Sequence, residues 1–418
     1  MPPRSRTHTR TDTRTRTNTR TLAAAQLANS LGDGAFYTTS ALYFTRVVGL
    51  SPTQVGLALT VAWAVGAVAG VPLGALADRR GPRGAAVLLA LATAAAVLSF
   101  LVIRSYGVFL LAVVGYAVAQ CGLAAARQAL LAGLVAPGER TGVLARLQST
   151  LNAGLAAGAG VGGLALQHDT HAGYLAVFAL DGAGFVACAL ILLRLPAVPA
   201  APTRTAKEPR LAVLRDRPYA VVTLINAVLL LRLPLLSVAL PLWIVTHTAA
   251  PGWVVSALFV LNTLGVMAFQ VRVARGVTGL STAVRIVRRS GIVMLAACVV
   301  FAASAAGGLG PWGAAAVLVA ASVLQLVGEM QQSAGSWQLS FTLAPPHRVG
   351  QYQGFFGTGG PLARTAGPLL MTTLLITWGV PGWLLLGTLF LAAGAAMAPA
   401  TRHLYRPVPA QKAGAPLP

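Results

Sequence analysis

Between residues 22 and 400 the chain repeats one unit, an apolar run of about 20 residues followed by a short polar connection. The runs fall near 22–45, 55–77, 84–103, 106–126, 147–166 and 173–193, and again near 219–245, 252–271, 291–310, 313–341, 350–377 and 382–400. A hydrocarbon core about 30 Å thick takes roughly 20 apolar residues per helical span, and a spanning segment must satisfy its own backbone N–H and C=O groups. Only 10% of the residues are charged, against about 25% in an ordinary soluble domain, so a soluble globular fold is excluded. The pattern predicts an all-α integral membrane protein of 12 transmembrane helices in two pseudo-symmetric six-helix bundles, 22–195 and 219–400. Residues 196–218, rich in Arg and Pro, read as the linker between them. Residues 1–21, where Arg alternates with Thr, read as a disordered tail, and 401–418 as a second tail.

The placement of charge predicts the orientation. With the amino terminus inside, 26 of the 31 basic residues lie in the tails and inner connections, only Arg46 and Arg104 lie outside, and three fall within runs. That is the positive-inside bias, with both termini cytoplasmic. The net charge of +22 therefore describes membrane topology, and no nucleic-acid partner is expected. The excess of Arg, Ala, Gly and Pro is what a GC-rich coding sequence gives, and the expected location is a bacterial inner membrane. Cys121, Cys188 and Cys298 stand far apart in apolar runs, which suggests neither disulfide nor metal site.

The halves echo each other. Ala136-Pro-Gly-Glu-Arg140-Thr-Gly142 and Ala344-Pro-Pro-His-Arg348-Val-Gly350 share Ala-Pro-x-x-Arg-x-Gly at equivalent places, as a duplicated chain predicts. Between the second and third runs stands Gly74-Ala-Leu-Ala-Asp78-Arg79-Arg80-Gly81-Pro82-Arg83-Gly84. It resembles the Gly-x-x-x-Asp-Arg-x-Gly-x-Arg signature of the major facilitator superfamily, with Pro82 where a basic residue is often found. The resemblance implies a cytoplasmic gate formed by Gly74, Asp78, Arg79, Gly81 and Arg83. The matching stretch of the second half, Arg272 to Gly276, has no Asp. In the fifth run, Gly154, Gly158, Gly162 and Gly163 resemble an element of the family's drug:proton antiporters, with Ala159 in place of its Pro. The same glycines also suit close helix packing in any membrane protein.

Six charged residues fall within or at the margin of the runs: Asp33, Arg127, Asp181, Arg232, Glu329 and Arg364. Charge at that depth is costly and normally faces a cavity or a partner. Gln26, Asn29, Asp33, Tyr37 and Ser40 recur at helical spacing on one face, as do Ser322, Gln325, Glu329, Gln332 and Ser336. Tyr116, Gln120 and Arg127 form a third set, in which Arg127 either joins the cavity or snorkels to the membrane edge. The family resemblance places these helices around a central cavity. Asp33 and Glu329 are thus candidate proton carriers, because a carboxyl shielded from water holds its proton more tightly than one in solution. The alternative is a permanent ion pair with Arg232 or Arg364. Gln26, Asn29, Tyr37, Tyr116, Gln120, Gln325 and Gln332 are candidate substrate contacts, with Phe44, Trp243, Trp337, Phe355 and Phe356 as apolar wall, while Asp181 is assigned to packing or hydrogen bonding. No metalloprotease, nucleophile-elbow or Walker motif is present, so no enzyme and no cofactor is expected. The expected function is export of a small amphipathic molecule by proton antiport, from a monomer working by alternating access. Proton-coupled import of a nutrient is the alternative, and a non-transporting membrane scaffold or sensor a third reading.

Overall fold

The computed structural model describes residues 6–168, 170–201 and 211–402, and side chains from Arg14 onward. Among them the regular structure is helical throughout. The first half comprises α1 (Arg6–Leu42), α2 (Pro52–Arg80), α3 (Pro82–Ser99), α4 (Tyr106–Leu134), α5 (Arg140–His168) and α6 (His171–Leu193). The second comprises α7 (Arg217–Leu229), α8 (Arg232–Pro234), α9 (Leu240–His247), α10 (Trp253–Arg275), α11 (Leu280–Ala303), α12 (Pro311–Thr342), α13 (Val349–Gly357), α14 (Gly359–Met371) and α15 (Val380–Arg402). Local chemistry sets several starts. Ser51 and Gln54 form a capping box ahead of α2, whose first residue is Pro52, and Asp216 Oδ1 accepts from Tyr219 N at 3.1 Å ahead of α7. Gly81, at φ +94°, makes the turn from α2 into α3 that a side chain would strain.

Among the described residues, nine stretches are long and apolar enough to cross a membrane. The runs read at 22–45, 147–166 and 350–377 are helical but fall outside those nine. Polar side chains and glycines interrupt their apolar character. The Arg/Thr tail needs correction, since α1 runs back to Arg6 and residues 6–21 are part of a helix. Extending an existing helix is cheap compared with starting one, and Thr19 and Thr21 fold their hydroxyls onto the carbonyls of Thr15 and Thr17. Residues 1–5 and 403–418 lie outside the described residues, as do 202–210 within the linker.

Among the described residues two large apolar cores result, with two smaller clusters beside them. The first is dominated by rings, with Phe44 packed among Phe100, Phe109 and Phe178. The second belongs to the other half and takes in Val71 and Ala145 of the first. Phe44 and Trp243 are core residues and not cavity wall. Trp243 is fully buried, with its indole N–H donating to Ser304 Oγ and its ring stacked on His247. A buried indole usually finds an acceptor, and Ser304 supplies it.

The glycines of α5 form a seam with α1. A Cβ at Gly154 would strike Ser30, at Gly158 the carbonyl of Leu31, and at Gly162 the backbone of Ala35, whereas Gly163 faces open space. From the other side, Gly34 meets the Leu155 carbonyl. The seam is backbone-to-backbone packing of the kind small residues permit in membranes. Where the second half breaks its helices, proline is responsible. Pro234 interrupts the run 219–245, and Gly367 of α14 leaves the space its ring fills.

Candidate functional site

The halves meet at the end of the bundle where the basic loops gather. Gly74 of α2 abuts the Gly350 backbone, and Gly70 abuts that of Gly354. Missing side chains let α2 and α13 touch along their backbones. Asp78, at the last turn of α2, then accepts from Gly350 N at 2.7 Å (Oδ1) and from Gln351 N at 2.9 Å (Oδ2). Those N–H groups open α13 and lack intrahelical acceptors, so a carboxylate from the opposite half caps the helix and meets the positive end of its dipole. Thr141 donates to Gln338 at 2.6 Å across the same end. Arg83 donates to the Leu195 carbonyl at 2.8 Å, closing the carboxyl end of α6, and the linker's Ala201 N donates to the Asp78 carbonyl at 2.8 Å. A cavity of about 770 Å³ opens there between the halves, lined by Asp78, Arg140, Val198, Gln338 and His347 among others.

Deeper in the first half lies a polar cluster centred on Asp33, which is 5% exposed. Its Oδ2 accepts from Asn29 Nδ2 at 3.0 Å and its Oδ1 from Gln120 Nε2 at 3.5 Å. Gln120 also donates to the Tyr116 hydroxyl at 3.0 Å. Arg127 does not snorkel to the membrane edge. It donates to Asn29 Oδ1 at 3.3 Å and to Gln26 Oε1, so Asn29 links the guanidinium to the carboxyl without an ion pair. The stripe read from α1 therefore holds together in space. Tyr37 stands 48% exposed one turn beyond.

The second half carries a different cluster. Arg232 donates to Glu329 Oε1 at 2.7 Å, to Gln332 Oε1 at 2.9 Å and to Ser333 Oγ at 3.0 Å, while Glu329 Oε2 accepts from Asn262 at 2.9 Å. Gln332 continues to Asn226 and Ser336, both at 2.9 Å. Gln325 is buried beside this network, but its Oε1 has no hydrogen-bond partner. Arg364 stands apart. Among the described residues it forms no ion pair, and its guanidinium lies 5.7 Å from the Trp63 ring across the boundary between halves, with Asp33 within reach of its charge.

Asp181 is fully buried on α6, against the backbone of Gly32, and neither carboxyl oxygen has a hydrogen-bond partner. Of the packing or hydrogen-bonding role expected of it, the packing against Gly32 is present, and no hydrogen bond is found among the described residues. The sequence reading also missed Asn226, Asn262, Ser333 and Trp63. Asn226 and Asn262 interrupt apolar runs and were visible as such. Ser333 and Trp63 carried no signal of their own. No group of three His, Cys, Asp or Glu able to hold a metal occurs among the described residues.

Comparison with known proteins adds three findings. The family model described as "Major Facilitator Superfamily" matches residues 22–368. No curated protein matches the sequence. Several solved structures share the fold. A bacterial homologue of the iron transporter ferroportin in an outward-facing state has a TM-score of 0.72 at 16% identity, covering 92% of this chain and 98% of that one. The human organic anion transporter MFSD10 (TETRAN) has 0.69 at 16%, covering 92% and 99%. The proton:xylose symporter XylE bound to 6-bromo-6-deoxy-D-glucose has 0.69 at 13%, covering 93% and 96%.

Proposed function

Because this chain belongs to the Major Facilitator Superfamily, whose members are membrane transporters rather than enzymes, we propose that it is a proton-coupled carrier exporting a small amphipathic molecule by antiport. Twelve spans with both ends on the cytoplasmic side fit the basic end of the bundle being inside. On that reading the state described here is shut inward by the Asp78 latch.

One observation carries the proton assignment. Of the two candidate carboxyls, Glu329 is bound to a guanidinium at 2.7 Å, whereas Asp33 is held only by neutral amides. A carboxylate in a buried ion pair stays charged because removing the charge strands its partner. One held by amides gains or loses a proton without breaking an ion pair, since both forms keep hydrogen bonds there. Tyr37, Gln120 and Tyr116 connect it to the side opposite the latch. The driving force is adequate, as one charge crossing 100 mV is worth about 2.3 kcal/mol. Gln26, Asn29, Gln325 and Gln332 complete a polar lining for the cargo.

A second reading, uptake together with a proton, has its own support in Arg364. An exposed cation without a carboxylate partner, within reach of Asp33, suits an anionic cargo that travels with the proton. One experiment tests both. Purified protein is screened by thermal shift against amphipathic cations and anions, and a stabilising compound is loaded into proteoliposomes under an imposed proton gradient. Antiport drives the compound against the proton flow and cotransport drives it with the flow. In either case Asp33→Asn abolishes gradient-driven movement while leaving exchange of labelled for unlabelled compound. Full gradient-driven transport by Asp33→Asn would refute the assignment.

A further inference from the structure

We propose that Asp181 is a second proton-binding carboxyl of the carrier, set against Asp33 across the contact between α1 and α6. It lies completely out of solvent, and both of its oxygens lack hydrogen-bond partners. An ionised carboxylate in that position would have given up water and received nothing in return, whereas the neutral acid pays only for a hydroxyl and a carbonyl. The approach depends on Gly32, the residue before Asp33. A Cβ built there would sit 2.6 Å from Asp181 Oδ1, so any side chain at 32 would occupy the space between α1 and the acid.

The surroundings contain no cation for Asp181. Asp33 and Tyr37 face it from α1 and Tyr116 from α4. Among the described residues, the only ionisable residue of α3 is Arg83, which is bound to Leu195, and those of α5 are Arg140, Arg146 and His168, all in its outer turns. Arg127 and Arg364 act on Asp33. Two carboxyls with no cation between them do not both ionise readily, so the pair holds at least one proton while Asp33 cycles. Asp181 thus keeps a proton beside Asp33 through the cycle, and the pair releases one proton per turn.

The proposal rests on the proton-coupled reading for its use but is tested apart from it. Infrared spectra of the full-length protein in liposomes, recorded while pH is stepped from acid to alkaline, report protonated carboxyls by their C=O stretch, with no cargo needed. The native protein should show a protonated-acid band at neutral pH that persists in Asp33→Asn and disappears in Asp181→Asn. Asparagine matches the neutral acid in shape, so Asp181→Asn should fold. If it does not, Asp33→Asn alone decides: a remaining pH-sensitive acid band supports the second site, and its absence overturns it. Identical spectra for Asp181→Asn and native protein at every pH overturn the second site and leave Asp33 untouched. A pH-silent Asp33 with an intact Asp181 band would instead refute the coupling reading.

Discussion

Removing the Asp78 carboxylate should open the basic end of the carrier, by an amount that follows from two hydrogen bonds. Oδ1 and Oδ2 accept from Gly350 N and Gln351 N at 2.7 and 2.9 Å. Hydrogen bonds to a charged group contribute about 1.5–3 kcal/mol each. Asp78 is only partly buried, and water would replace it at the freed amides, so a net loss of about 2 kcal/mol is the reasonable figure after screening. That shifts the closed-to-open ratio by a factor of about 30. Spin labels on cysteines introduced at Gly138 and Pro346, in a background lacking the three native cysteines, report the separation of the halves at this end by electron–electron double resonance. Asp78→Ala should add a longer-distance population that native protein shows weakly or not at all. Asp78→Asn, which keeps one acceptor, should fall between. Gly350→Ala should resemble or exceed Asp78→Ala, because its Cβ would meet both the Gly74 carbonyl and the Asp78 carboxylate. Distance distributions unchanged in Asp78→Ala would refute the latch as an energetic element, whatever its geometry.

Three further outcomes are expected. Gly158→Ala should lower the melting temperature, costing about 1–3 kcal/mol as an overpacked contact, because its Cβ would strike the Leu31 carbonyl, whereas Gly160→Ala, with nothing within 4 Å, should be neutral within about 0.5 kcal/mol. Glu329→Gln should destabilise the protein by about 2–3 kcal/mol by leaving Arg232 buried without its counter-charge, and Glu329→Gln with Arg232→Gln should recover most of that loss. A double-mutant cycle in thermal melts measures it, and strictly additive losses would show that the pair is not coupled. Trp63→Ala should leave folding near native but change the intrinsic fluorescence response to any cargo that docks beside Arg364.

Much of the architecture was legible in the sequence because membranes make few demands and make them strictly. Apolar runs of spanning length located the helices, and Gly74, Asp78 and Gly81 stood out in the sequence because a close approach, a cap and a turn at positive φ each narrow the choice of residue. Helical spacing also grouped Gln26, Asn29 and Asp33 on one face. Spacing gives the face of a single helix and not what reaches it from another. That is why the sequence left Arg127 between cavity and membrane edge, and Glu329 between proton carrier and ion pair. Arg127 turns inward because Gln26 and Asn29 offer it acceptors, and Glu329 meets Arg232 from the short helix α8, which ends at Pro234. The tail was misread for a different reason: its composition disfavours an independent helix, but it continues one already formed.

The two halves share a fold and a short motif but have divided the work unequally, and the asymmetry can be traced to single residues. Gly350 is docked by Asp78 from the first half, while its counterpart Gly142 has nothing within 4 Å. The stretch that would supply a carboxylate to Gly142, Arg272 to Gly276, contains none. The interiors differ in the same direction. The second half cancels Glu329 with Arg232 and binds both into a network of Asn and Gln, so its charge is fixed. The first half keeps two interior acids, Asp33 and Asp181, without an ion pair for either among the described residues. On the proposed proton-coupled reading, a change of charge during the cycle falls on the half that also carries Asp78. A helix pair, α1 and α6, that gains or loses charge beside a bundle pinned by one carboxylate gives a direct physical route from protonation to opening, without requiring a matching event in the second half.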